Sequence, residues 1–347
     1  MRNQMADKQA SLSPYEEIEE LRKKLEKQKK SNRDHELKAT SDKLSSVSVN
    51  MKVRRSLKGH QSKVLCSDWS TDKRHLVSSA QDGQIIVWDA FSFTKDVEIS
   101  SPSTWVVACA FGPSQNSIAC GGLDNKCTVY QEIYSQSPRK YPVAMHTKFV
   151  AACCFVGSDQ ELLTASGDTT CCLWDVETGE LLQTFEGHVA EVLSATVCPS
   201  LNSRTFASGS CDCTVRIWDT RMGKCSLIFE GHEADINCVR FHPSGDTVGT
   251  ASDDGTCRLF DLRADEQLAC YTKPSVLFPA NSVDFSLSGR LIFCGYSDNI
   301  IRAWDTLKGE HVSVLLGHEG PVSCVRMSPD GTALSSCSWD GLVKIWA

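Results

Sequence analysis

The 347-residue chain has no apolar run near the ~20 residues that a membrane-spanning helix requires. Its opening stretch, "MRNQMADKQASLSPYEE", lacks the apolar core of a secretory leader. Arg2 and the final "KIWA" match no lipidation signal, so the expectation is no intrinsic membrane insertion. Neither a phosphate loop, nor HExxH, nor GxSxG occurs, and the chain is not expected to be an enzyme or to carry a cofactor or metal. Basic character is missing where nucleic acid would need it. Residues 1–55 carry 14 Lys/Arg against 9 Asp/Glu, leaving the rest of the chain at −12 within a formal net charge of −7.

Cysteine is abundant, with 18 residues, several inside apolar runs such as "AACCF" and "TTCCLW". Buried, reduced thiols in an intracellular protein are expected. Neither Cys171–Cys172 nor Cys211-x-Cys213 has the paired spacing of a zinc site.

A repeat dominates residues 57–347. Aspartate recurs at Asp82, Asp124, Asp168, Asp212, Asp254, Asp298 and Asp340, at intervals of 42 or 44 residues. Six residues after each stands an aromatic: Trp88, Tyr130, Trp174, Trp218, Phe260, Trp304 and Trp346. His60, His146, His188, His232 and His318 lie 22 or 24 residues upstream in five repeats, and the same five carry Ser78, Thr164, Ser208, Thr250 and Ser336. Repeats two and six have neither, with Cys120 and Cys294 at the hydroxyl position. Such covariation places histidine against hydroxyl. A chain Asp–His–Ser/Thr–Trp is expected to satisfy buried polar groups; a hydrolase triad would be one exposed copy, not five.

Gly-His and Trp-Asp landmarks at this period predict an all-β, seven-bladed WD40 propeller of four-stranded blades. Because the repeat is out of phase with the blade, the last repeat supplies three strands. The strand near 51–57 is expected to complete it and close the ring.

The segment before the propeller differs in kind. Ser13, Pro14 and the acids after them predict a helix start, and Ile18, Leu21 and Leu25 follow coiled-coil spacing. At the next sites the stripe weakens to Gln28, Asn32 and His35. The expected organisation is a disordered 1–13, a helix and linker over 14–49, and a propeller over 50–347.

This layout, with "ACGGLDNKC", "SGDTTCCLWDVETGE", "SDDGTCRLFDLRADE" and "SLSGRLIFCGYSD", resembles the heterotrimeric G-protein beta subunits. "MKVRRSLKGH", "VAMHT" and "WDTLKGEHVSVLLGHE" look like the type-5 subunit. The resemblance implies a scaffold paired with the Gγ-like domain of an RGS protein, supporting GTP hydrolysis by an alpha subunit and ending receptor signalling. It also implies a cytoplasmic location, peripheral at the inner face of the plasma membrane through partners. A conventional dimer with a G gamma subunit, binding G alpha and effectors, is the alternative. By the same resemblance, a partner face would include Lys63, Leu65, Lys95, Trp105, Leu123, Asn125, Glu191, Asp235, Asp253 and Trp339. Leu65 stands where conventional beta subunits carry tyrosine, Gln84 where they carry lysine, and Glu191 where they carry aspartate.

Overall fold

A computed structural model describes residues 18–24, 27, 44–200, 204–273 and 277–347. The chain divides into two compact units, Met1–Ser45 and Ser46–Ala347. In the first, residues 18–24 are helical, with Ile18 and Leu21 more than half exposed. Leu25, the capping pair Ser13–Pro14, the disordered segment 1–13 and the positions Gln28, Asn32 and His35 lie outside the described residues.

The second unit is seven four-stranded antiparallel meanders. Six run in chain order. The seventh is built from both ends of the unit: strand Val53–Lys58 pairs with Leu342–Trp346 outside the strands Leu334–Ser338 and Val322–Met327. An outermost strand is thus contributed from the other end of the unit, Val53 pairing with Trp346 and Lys58 with Leu342, and the edge left by the terminal strand is covered. Leu57 fixes this closure. It is buried in one cluster with Val343 and Ile345 of its own blade and with Trp69, Ile86 and Trp88 of the first. Buried tryptophans belong to five of the seven core clusters, where a large ring fills space between neighbouring sheets.

Every blade carries a β-bulge in its innermost pair, between the first and third residues of the inner strand. Such a bulge leaves one residue without a ladder partner and re-aims its side chain. The seven unpaired residues are Leu65, Val107, Ala151, Leu193, Asn237, Asn281 and Ser323. All seven line a central channel of about 210 Å³.

Neighbouring blades are stitched around that channel. The thiols of Cys66, Cys238 and Cys324 donate to the carbonyls of Cys109, Val283 and Ser67 in the next blade, at 3.8, 3.8 and 3.6 Å. Ser194 and Ser282 accept the N–H groups of Val239 and Val325 at 3.1 and 3.0 Å. None of the 18 cysteines is in a disulfide. Burial pushes the Cys171 thiol well above its ordinary range, so it packs as a small neutral group.

Candidate functional site

Hydrogen-bonded chains hold the turns at one end of the propeller. In the fourth repeat, Asp212 Oδ2 lies 2.8 Å from His188 Nδ1, His188 Nε2 lies 2.7 Å from Ser208 Oγ, and Trp218 Nε1 donates to that oxygen at 2.8 Å. His146, Thr164, Asp168 and Trp174 repeat the geometry at 2.9, 2.7 and 2.9 Å, and His318, Ser336, Asp340 and Trp346 at 2.8, 2.7 and 2.7 Å. In the first repeat His60, Ser78 and Trp88 keep their bonds, but the His60–Asp82 separation widens to 3.6 Å, while Asp82 still accepts the Gln61 N–H. His232 joins Asp254 and Thr250, where Phe260 replaces tryptophan. In the sixth repeat the loss of the hydroxyl leaves Trp304 Nε1 buried without a partner.

Each aspartate also accepts backbone N–H groups, as Asp212 does from Val189 and Thr214 and Asp340 from Glu319 and Leu342. The chain therefore fixes the turn positions relative to the blade. The hydroxyls of Ser78, Thr164, Ser208 and Ser336 are fully buried, out of reach of any substrate.

Burial pushes the imidazoles of His60, His188 and His318 below their ordinary 6.5, against the opposing pull of their aspartates. For Asp212, burial raises the carboxyl, but hydrogen bonds from Thr214 and His188 outweigh it and hold it low. The unfolded histidines take up protons near pH 6.5 and the folded ones resist, so stability is full above 6.5 and lost as pH falls below it. The melting temperature should fall by several degrees between pH 7.5 and 5.5, in scanning fluorimetry at constant ionic strength. A flat profile would show that these histidines charge freely in the fold.

The turns so fixed display most of the face residues. Backbone bonds join Gln81 N to Lys63 O at 2.9 Å, Leu123 N to Trp105 O at 3.3 Å, Cys211 N to Glu191 O at 2.9 Å and Asp253 N to Asp235 O at 2.9 Å. Trp339 N donates to Pro321 O at 3.0 Å. Trp339 is 47% exposed, and Lys63 Nζ stands 3.8 Å above its ring, a cation–π contact that stiffens the indole without covering it. Trp105, 38% exposed, is held at φ 64°, a conformation that costs a bulky residue about 1–3 kcal/mol and is confined to over-determined positions. Leu123 and Asn125, the latter also at positive φ, stand in the adjoining turn. Across the ring the surface is acidic: Glu191, paired with Lys148 at 3.1 Å, then Asp235 and Asp253.

Two residues of the expected face stand elsewhere. Lys95 opens the outermost strand of the first blade, opposite Trp88, pairs with Glu98 at 3.2 Å and lays the end of its side chain against Gly59. The unpaired position in a bulge turns Leu65 onto the channel wall. Sequence reasoning missed Met145 and Val189, at 71% and 82% exposure beside these turns. Val189 follows the tetrad His188, and that adjacency was the available signal.

Among the described residues, one group has the atoms of a metal site: His75, Asp89 and Asp96. There the Arg74 guanidinium already holds Asp89, and His75 Nδ1 is turned onto Asp72. No helix among the described residues is long and apolar enough to cross a membrane.

A family described as "G protein beta WD-40 repeat protein" matches residues 12–347. The chain belongs to the G-protein beta-subunit family. It is similar to the guanine nucleotide-binding protein subunit beta-2 of Caenorhabditis elegans, 54% identical over 95% of this chain and 90% of that one. Subunit beta-5b of Danio rerio is 52% identical over 86% of this chain and 76% of its own, in line with the resemblance to the type-5 subunit. A beta subunit of Zea mays shares 40% identity over 84% and 82%. As a G-protein beta subunit, the chain is a WD-repeat signalling propeller, and its tetrads hold the blades of that family's fold.

Proposed function

We propose that this beta subunit is a non-catalytic scaffold and an obligate partner of an RGS protein bearing a Gγ-like domain. The complex speeds GTP hydrolysis on a G alpha subunit and ends receptor signalling, with the chemistry supplied by the partners. The carrying observation is an apolar stripe, Ile18 and Leu21, left more than half exposed on the N-terminal helix of a chain 52% identical to a beta-5b subunit. A short helix with a bare apolar stripe gains stability from a second helix. Residues 14–49, Leu25 included, form the coiled-coil arm and linker, and 50–347 the propeller. The partner holds the complex at the inner face of the plasma membrane.

The turn-bearing end receives the remainder of the RGS protein, or G alpha and effectors, through Lys63, Trp105, Leu123, Asn125, Glu191, Asp235, Asp253 and Trp339. Leu65 acts at the channel mouth and Lys95 on the flank of the first blade. Buried, fivefold-repeated hydroxyls support a non-catalytic role.

Co-expression with two baits tests this reading: an RGS fragment carrying a Gγ-like domain, and a conventional G gamma. Recovery through a detergent wash should occur with the RGS fragment and fall more than about tenfold when Ile18, Leu21 and Leu25 become aspartate. Recovery chiefly with G gamma would instead make it a conventional beta–gamma dimer. On the propeller face, Trp339→Ala should weaken partner binding by about 30-fold, as removal of an aromatic anchor does, with melting temperature unchanged. Unaltered affinity in a calorimetric titration would remove Trp339 from the interface.

A further inference from the structure

The central channel is chemically two-sided. Blades one to four give their bulge positions to Leu65, Val107, Ala151 and Leu193, and blades five to seven give theirs to Asn237, Asn281 and Ser323. The three polar residues are occupied: Asn237 and Asn281 donate to the carbonyls of Ala280 and Val322, at 3.0 and 2.8 Å, and Ser323 to that of Val64, at 2.6 Å. Two positively charged groups on the same side are not so well matched. Arg240 and Arg326 enter the cavity, together with one acid, Asp68.

Asp68 forms no ion pair with either. Its Oδ2 accepts the Phe111 N–H at 3.0 Å, and Asp284, on the strand between the two arginines, is tied to the N–H groups of Phe285 and Met327 at 2.9 and 2.7 Å. Among the described residues neither guanidinium has a carboxylate within 4.0 Å, as the ion pairs of the chain show. Arg240 Nη1 has Thr196 Oγ1 at 3.4 Å, and Arg326 Nη1 has the carbonyl of Val325 at 3.1 Å. The Nε of each is buried without a partner. Guanidinium carries five donors, and leaving most of them unspent in a narrow cavity is costly unless an anion completes them. Burial raises the Asp68 carboxyl above its ordinary value, against the pull of both arginines. The lining also includes the small apolar side chains of Val107, Ala108, Ala110, Ala151 and Ala152.

We propose that the channel is a binding site for a short organic oxyanion, its phosphate or carboxylate head held between Arg240 and Arg326 and its apolar body lying on the Val107–Ala152 wall. A planar guanidinium pairs with either head through two parallel hydrogen bonds. The cavity, at about 210 Å³, has room for a head and a few carbons.

Calorimetric titration of the full chain, in the complex with which it purifies, tests the site with three probes at matched ionic strength: n-butyl phosphate, butyrate and inorganic phosphate. One saturable site per chain is expected for n-butyl phosphate or butyrate, whichever head the arginines prefer, at least tenfold tighter than for inorganic phosphate. Arg240→Gln and Arg326→Gln should each weaken it tenfold or more. Ala151→Phe, which leaves both arginines in place, should abolish it. Crystals of the unaltered chain soaked in selenate should show an anomalous peak between the two guanidiniums, a readout that needs no variant to fold. Absence of saturable heat with both organic probes, affinity unchanged in the glutamine variants, equal affinity for inorganic phosphate, or no selenate peak would each overturn the proposal.

Discussion

Replacing Ser208 with alanine should lower the unfolding free energy by about 3 kcal/mol. The Ser208 hydroxyl is fully buried and is shared: His188 Nε2 lies 2.7 Å away and Trp218 Nε1 donates to it at 2.8 Å. Alanine removes only an oxygen, so little packing is lost, yet it strands two polar atoms where water cannot follow. Each stranded group costs about 1–3 kcal/mol, far above the net worth of one ordinary hydrogen bond. His188 would then have Asp212 alone to hold it, and the turn carrying Glu191 would loosen. Denaturant unfolding measures the loss, with Cys120→Ala as comparison, since the second repeat has no histidine at that position. Equal, small losses at both sites would mean that the tetrad contributes packing and not hydrogen bonding.

The larger effect should come from the ring closure. Leu57→Asp should cost more than about 4 kcal/mol, enough to remove most of a domain's stability. Leu57 is 2% exposed, in one cluster with Val343 of the last blade and Trp88 of the first. Opening there would free the strand Val53–Lys58 and bare the edge of Leu342–Trp346 along its whole length. The expected result is loss of monomeric protein, with hydrogen exchange at 342–346 rising before that of the other blades. Leu57→Met, close in volume, should be tolerated within about 1.5 kcal/mol. If Leu57→Asp kept protected amides at 342–346, another contact would have to be closing the ring.

Much of the architecture could be read along the chain because each blade restates the same local requirement. A turn aspartate needs N–H donors, a buried tryptophan needs an acceptor, and the histidine between them links the two. Where the hydroxyl was absent from the sequence, at Cys120 and Cys294, the histidine was absent as well, and the structure shows Trp304 Nε1 unsatisfied as a consequence. The widened His60–Asp82 pair, at 3.6 Å, had no such signal, since all four residue types are present in that repeat.

Placement of the face was less accessible. Trp88, Trp105 and Trp339 are alike as letters; one is 1% exposed and the others 38% and 47%. The difference lies in the pleat and the turn, since Trp88 points into a junction between sheets while Trp105 and Trp339 occupy positions beyond the strand ends. Lys95 and Leu65 were grouped with the face through resemblance, and strand register placed one on a flank and the other in the channel.

The sequence by itself determined the number of blades, their order, the four-residue chains that bind them and the strand borrowed to finish the seventh, because these follow from short-range spacing repeated at 42 or 44 residues. Only the tertiary structure decided what faces what. The bulge in the innermost pair of each blade, unmarked by any residue type, turns seven otherwise unrelated side chains onto a common axis, and the closed ring brings Arg240 and Arg326, 86 positions apart, into one cavity. Spacing along a chain records local hydrogen bonds; the meeting of distant side chains depends on how the twisted sheets pack into a closed ring.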